Sequence, residues 1–236
     1  MLTRRFFCAC FTAGFAASLL APSAHAQTSE CAVFTPNRQK QLSPDDAIAR
    51  LTSGNERFVS GKSINCDLRQ QVKDTAKAQA PFAAIIGCMD SRVPPELVFD
   101  QRIGDVFCVR IAGNFINTDM IGSLEYATKV VGARAIVVLG HSDCGAVKGA
   151  IDDVKLGNLT ATLAHIRPAV AATKVQGPAN SSNEAFVKAV TEANATMSAA
   201  ALTQRSQILK ELVAAKQLRV VSALHDITTG RVSFLS

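Results

Sequence analysis

A chain of 236 residues with 48% hydrophobic and 19% charged residues has the apolar content to bury a sizeable core, which excludes an intrinsically disordered protein. The formal net charge of +6 is small and dispersed, and with one tyrosine and no tryptophan the basic residues lack interleaved aromatics, which argues against nucleic-acid binding.

Residues 1–26 read as an export leader. Arg4-Arg5 precedes the apolar stretch Phe6 to Leu20, which ends in Ala24-His25-Ala26, an Ala-x-Ala cleavage pattern. Thr3-Arg4-Arg5-Phe6-Phe7 resembles the twin-arginine consensus, although Sec signals share the outline. The apolar run is short of the about 20 residues that span a bilayer, so processing is expected to release a periplasmic protein from Gln27 onward, with no stable membrane anchoring. Removal of the leader lowers the net charge to +4 and the cysteines from seven to five. An oxidising compartment permits a disulfide between Cys31 and Cys66; two separate thiols are the alternative. Cys108, inside the apolar run Val106 to Val109, reads as a buried core thiol. No long linker or internal repeat divides residues 27–236, which read as one domain.

After an irregular opening, Ser43 can cap a helix that Pro44 starts and Ala47, Ile48, Leu51 and Phe58 stripe with apolar side chains. Gly54-Asn55 is expected to interrupt this helix or divide it in two. A polar helix over residues 67–78 leads to a buried strand that ends in Gly87-Cys88-Met89-Asp90-Ser91-Arg92. Pro94-Pro95 opens a short helical turn, a second strand runs over 106–111, a helix over 119–131, and a third strand, Ala135 to Leu139, ends in Gly140-His141-Ser142-Asp143-Cys144-Gly145. Residues 158–172 and 183–215 read as mostly helical, with Gly177-Pro178 between them. Strands follow at 218–224 and 231–235, the second folded back by Thr228-Thr229-Gly230. The order predicts an α/β fold: an open, mostly parallel sheet of four strands with a fifth, antiparallel edge strand, flanked by helices.

In such a sheet the carboxyl ends of neighbouring strands carry the site, which would bring Cys88, Asp90, His141 and Cys144 together. Two thiolates and one imidazole suit Zn²⁺, and three protein ligands leave the fourth tetrahedral position open, as in catalytic zinc sites. Redox or buried thiols and another metal are the competing readings. Asp90 has two available jobs, to bind the metal or to accept a hydrogen bond from metal-bound hydroxide. Arg92, two residues on and on the same side of an extended chain, would keep it ionised. An ordinary structural ion pair is the plainer reading. His165 and His225 read as surface or packing residues.

The segments Cys88-Met-Asp-Ser-Arg92-Val, Val109-Arg-Ile-Ala-Gly-Asn114, Gly122-Ser-Leu-Glu-Tyr126-Ala and Gly140-His-Ser-Asp-Cys144-Gly145 resemble the β-class carbonic anhydrases in order and spacing. With Gly54-Asn55-Glu-Arg-Phe58 the likeness spans roughly residues 43–235. It implies one Zn²⁺ per chain held by Cys88, His141 and Cys144, an Asp90–Arg92 catalytic dyad, and no organic cofactor. Asp90 would also be able to become a fourth ligand in an inactive state. The implied reaction is reversible hydration of carbon dioxide to bicarbonate and a proton by zinc-hydroxide attack, in an obligate dimer or dimer-based tetramer whose cleft lies near the subunit boundary. Gln79 matches a substrate-binding glutamine that reaches across that boundary, Phe107 and Tyr126 match aromatic positions around the cleft, Ala112 a wall position, and Gly145 completes the substrate-binding set. A subset of the family is inhibited by bicarbonate in a pocket built around a tryptophan. Ile85 stands at that position, which leaves Arg110 without the matching partner. Hydrolysis of carbon disulfide or carbonyl sulfide on similar ligands, and a non-catalytic zinc-binding protein, are the alternatives.

Overall fold

The computed structural model of the chain describes residues 30–235. The leader expected over residues 1–26 lies outside them. The elements in order are α1 (Pro36–Gln41), α2 (Pro44–Val59), α3 (Leu68–Thr75), β1 (Ala83–Gly87), α4 (Pro95–Val98), β2 (Val106–Arg110), α5 (Thr118–Glu125), a π-helical turn (Tyr126–Val130), β3 (Ala135–His141), α6 (Gly145–Ile151), α7 (Gly157–Ala164), α8 (Arg167–Ala172), α9 (Glu184–Arg205), α10 (Gln207–Ala214), β4 (Arg219–His225) and β5 (Val232–Phe234). The sheet has the order β2-β1-β3-β4-β5; the first four strands are parallel and β5 is antiparallel to β4.

β1 and β3 are buried along their whole length because both faces of the sheet are covered, which is why each reads as an unbroken apolar run. On one face Ala83, Ile85, Val137 and Leu139 pack on Phe34, Ala47, Leu51, Phe82 and Phe99. On the other, Ala84, Ile86, Ile136 and Val138 pack on Leu124, Ala195, Leu202 and Leu209. The buried face of α9 includes the small residues Thr191, Ala195, Ser198 and Ala199, which let it approach β3 closely. Gly140 of β3 faces Thr191, and a Cβ there would come within 3.2 Å of the Thr191 methyl group. A third cluster, with Val93, Val147, Leu163, Ile166, Phe186 and Val190, surrounds Cys88 and Cys144 beyond the strand ends.

Several local expectations change. Helix α2 runs through Gly54-Asn55 without a break. Glycine is required there because any Cβ would collide with the Phe99 carbonyl, and Asn55 is an anchor: its Nδ2 donates to Val98 O (2.9 Å) and Gly230 O (2.8 Å), while its Oδ1 accepts from Val232 N (2.8 Å). The helical stretch 183–215 divides at Ser206, whose hydroxyl caps α10 by accepting from Leu209 N and donates to Glu125. The stretch 158–172 is two helices, α7 and α8, and the one expected over 119–131 finishes as a π-helical turn. Helices α1 and α6 were not anticipated. Cys108 is half-buried rather than buried, because β2 is the outer strand of the sheet. Cys31 and Cys66 form a disulfide (S–S 2.02 Å, Cα–Cα 5.5 Å). Among the described residues no helix is long and apolar enough to cross a membrane.

Candidate metal centre and active site

Cys88 follows β1 and His141 ends β3, the adjacent parallel strand, so the sheet itself sets these two side by side. The chain then turns through Asp143, at φ 56°, and delivers Cys144 to the start of α6. The Cys88 and Cys144 sulfurs and a His141 ring nitrogen all lie within 4.8 Å of one another, and all three residues are buried. His141 Nδ1 pairs with the Ser142 carbonyl at 2.8 Å, which makes Nδ1 the protonated nitrogen and leaves the Nε2 lone pair free. Nε2 is buried with no hydrogen-bond partner. The two sulfurs are 3.9 Å apart, close to the about 3.8 Å edge of a tetrahedron with Zn–S bonds of about 2.3 Å. An orphaned imidazole nitrogen facing two sulfurs at this spacing fits zinc.

The two thiols perturb each other across their 3.9 Å contact. Cys88 is held below the usual thiol range by the hydrogen bond with Cys144, assisted by His141 and by the Gly113 N–H, which donates to its sulfur at 3.4 Å. Cys144 is pushed up by that same bond with Cys88 and by burial.

Asp90 stands beside this cluster, its Oδ2 3.9 Å from His141 Nε2. Arg92 grips it as a fork: Nε donates to Oδ1 at 3.0 Å and Nη2 to Oδ2 at 2.7 Å, with the Arg92 backbone N–H on Oδ1 at 2.9 Å. The Arg92 hydrogen bonds hold the Asp90 carboxyl well below the usual carboxylate range. The pairing was expected; the route was not. Rather than an extended chain, residues 90–93 form a turn closed by Val93 N to Asp90 O at 3.2 Å, which folds Arg92 back over the carboxylate. Asp143, which sequence reasoning passed over, completes the arrangement: its carbonyl accepts from Arg92 Nη2 at 3.4 Å, its carboxylate lies 3.6 Å from Arg92 Nη1, and it also pairs with Lys148. Its place between His141 and Cys144 was the available signal.

The remaining candidates divide. Gly145 opens α6 directly after Cys144, and Ala112 is half-buried just beyond β2. Phe107 and Tyr126 meet edge to face at 6.4 Å, in a groove of about 590 Å³ along β2 and α5 that includes none of the three ligand candidates. Gln79 is exposed on the loop before β1. His165 stacks on Phe115 at 4.2 Å, a packing role as expected. His225 is buried in register with His141, and both of its ring nitrogens are unpartnered; burial and then the nearby His141 lower its pKa.

A sequence profile described as carbonic anhydrase matches residues 83–232. The chain belongs to the β-carbonic anhydrase family. It is 35% identical over 197 residues to carbonic anhydrase 2 of Mycobacterium tuberculosis, covering 80% of this chain and 91% of that protein. To the carbonic anhydrase of Mycolicibacterium smegmatis it is 33% identical over 199 residues, with 82% and 94% covered. Among solved structures, the Coccomyxa β-carbonic anhydrase in complex with acetazolamide superposes with a TM-score of 0.61 at 26% identity, covering 80% of this chain and 86% of that one. The protein is thus an enzyme of carbonic anhydrase type, and its Cys-His-Cys cluster fits zinc binding. The four-plus-one sheet is the family's fold.

Proposed function

We propose that this carbonic anhydrase interconverts carbon dioxide with bicarbonate and a proton, using a zinc ion held by Cys88, His141 and Cys144. The observation that carries the reading is the convergence of two sulfurs and one unpartnered imidazole nitrogen within 4.8 Å. Bound there, zinc would act as a Lewis acid that brings the pKa of a water toward about 7.

The chain's own groups supply orientation and proton handling. Asp90, kept anionic by the Arg92 fork, accepts a hydrogen bond from the attacking water and aligns it; with both oxygens engaged by Arg92, it is drawn away from service as a fourth ligand. Asp143 braces Arg92 from the other side. His141 Nδ1 is fixed on the Ser142 carbonyl, which sets the ring orientation. Solvent buffer takes up the released proton. Gln79, Phe107, Ala112, Tyr126 and Gly145 are assigned to the substrate cleft. Because the Phe107–Tyr126 groove stands apart from the chain's own cysteines, it fits the cleft of a second copy, which favours a homodimer or an assembly of dimers. The Cys31–Cys66 bridge supports an oxidising compartment, in keeping with an exported protein in the periplasm and one catalytic domain over 27–236.

Zinc analysis together with stopped-flow carbon dioxide hydration tests the reading. Purified protein should carry zinc, lose hydration on chelation and regain it with zinc. Absence of both metal and hydration, or turnover of carbon disulfide or carbonyl sulfide in place of carbon dioxide, would overturn it. Export is tested by replacing Arg4 and Arg5 with lysine, which should retain precursor in the cytoplasm; normal periplasmic protein would point to the Sec route.

A further inference from the structure

We propose that Arg110 is a positioning residue for the metal centre: its guanidinium clamps the two main-chain carbonyls on either side of Met89, and thereby fixes the Cys88 sulfur and the Asp90 carboxylate together. The inference rests on the reading of Cys88 as a metal ligand and Asp90 as the orienting carboxylate.

Arg110 is the last residue of β2 and lies in register with Gly87, the last residue of β1. Just past that pair the ladder runs out. Ile111 N still reaches Gly87 O (3.1 Å) and Met89 N reaches Ile111 O (3.3 Å), but the chain then leaves the sheet to form the loop that carries Cys88 and Asp90. Packing does little to hold that loop at its middle, since Met89 is 65% exposed. Arg110 takes over where the strand pairing stops: Nε donates to Cys88 O at 2.9 Å and Nη2 to Asp90 O at 2.5 Å. The planar fork spans two acceptors at once, which a lysine ammonium, acting as a point donor, does not reproduce.

The division of labour is specific. Arg92 holds the Asp90 side chain, while Arg110 holds the main chain from which both Cys88 and Asp90 project. With the carbonyls pinned, the Cys88 sulfur is placed by rotation about a single bond, and the Gly113 N–H donates to it. Gly113 is itself held by Asn194, whose Nδ2 donates to its carbonyl at 2.8 Å. Release of the Arg110 clamp would let the loop pivot, moving a ligand and the orienting carboxylate in one motion.

The test compares Arg110→Met, which keeps the apolar stem and removes every donor, with Arg110→Lys, in the full zinc-loaded enzyme. Zinc affinity is read by competition with a chromophoric chelator, alongside kcat, KM and the melting temperature. Loss of a group that orients a ligand weakens metal binding and activity by about 10–100-fold, so Arg110→Met should lose zinc affinity and kcat in that range. KM should stay within about twofold, because the clamp contributes no uniform substrate binding. Arg110→Lys should recover part of both losses. Unchanged zinc affinity and kcat in Arg110→Met would overturn the proposal, as would a lowered melting temperature with both intact, or full recovery with lysine. Should Arg110→Met fail to fold, Arg110→Lys decides alone: intermediate zinc affinity supports the clamp and wild-type affinity removes it. Failure of the metal reading is distinguishable, since the wild-type protein would then take up no zinc before any variant is compared, and the clamp would fall with it.

Discussion

Removal of the Cys31–Cys66 bridge should destabilise the fold substantially while sparing the metal centre. The bridge joins residues 35 apart, enclosing α1 and α2. Closing a loop of that size in the unfolded chain removes about 13 cal/mol/K of entropy, or about 3.8 kcal/mol at 25 °C. For a protein of this size each kcal/mol shifts the melting temperature by about 2–4 °C, so a fall of about 8–15 °C is expected for Cys31→Ser/Cys66→Ser. Cys88, His141 and Cys144 all lie outside the loop, so zinc content and hydration at 25 °C should remain within about twofold of wild type. Scanning calorimetry of both proteins, with wild type repeated in reductant, checks the magnitude; reduced wild type should melt with the variant. A variant that melts within about 2 °C of oxidised wild type would refute the loop-entropy argument, the expected shift being several times larger.

Asn55→Ala removes three hydrogen bonds, one buried and two partly buried, and should cost about 2–4 kcal/mol, read as a lower urea midpoint at unchanged m-value; a loss under about 1 kcal/mol would mean that the anchor is dispensable. Asp90→Asn should keep its full complement of zinc yet lose hydration by about 100-fold or more; retained activity would remove the orienting role, and lost zinc would make Asp90 a ligand. Because Arg92 depresses Asp90, this pair contributes stability that is complete above the unfolded carboxylate value and disappears as pH falls through the lower folded one. Wild type and Arg92→Ala should therefore differ in stability at neutral pH and converge on acidification, as followed by denaturant titration at several pH values; a gap that widens in acid would contradict the sign.

The strands and the Cys88-His141-Cys144 cluster were legible because buried parallel strands announce themselves as apolar runs, and because glycine directly precedes Cys88 at the end of β1 and His141 at the end of β3. What escaped reading depends on contacts between distant segments. Nothing near Gly54 says that the Phe99 carbonyl will press against it, so the glycine looks like a helix break. The turn at Asp90–Val93 is closed by hydrogen bonds that leave no periodic signature. Helix α1 spans six residues and α6 seven, too few to show an amphipathic period. Asp143 lay within the recognised quartet, but its part emerges only once Arg92 is seen between two carboxylates. Phe107 and Tyr126 were expected around the same cleft as the ligand candidates, whereas the separation of their groove from Cys88 and Cys144 follows from β2 being the outer strand.

Asn55 also bears on the order in which the protein can be made. Its amide finds Gly230 and Val232 only 175 and 177 residues later in the chain. While residues 230–232 are still inside the ribosome, that carboxamide can reach only Val98 O among its three partners, and β5 does not yet exist to edge β4. The contact between α2 and the β5 end of the sheet therefore forms only once synthesis has passed nearly the whole of the described fold.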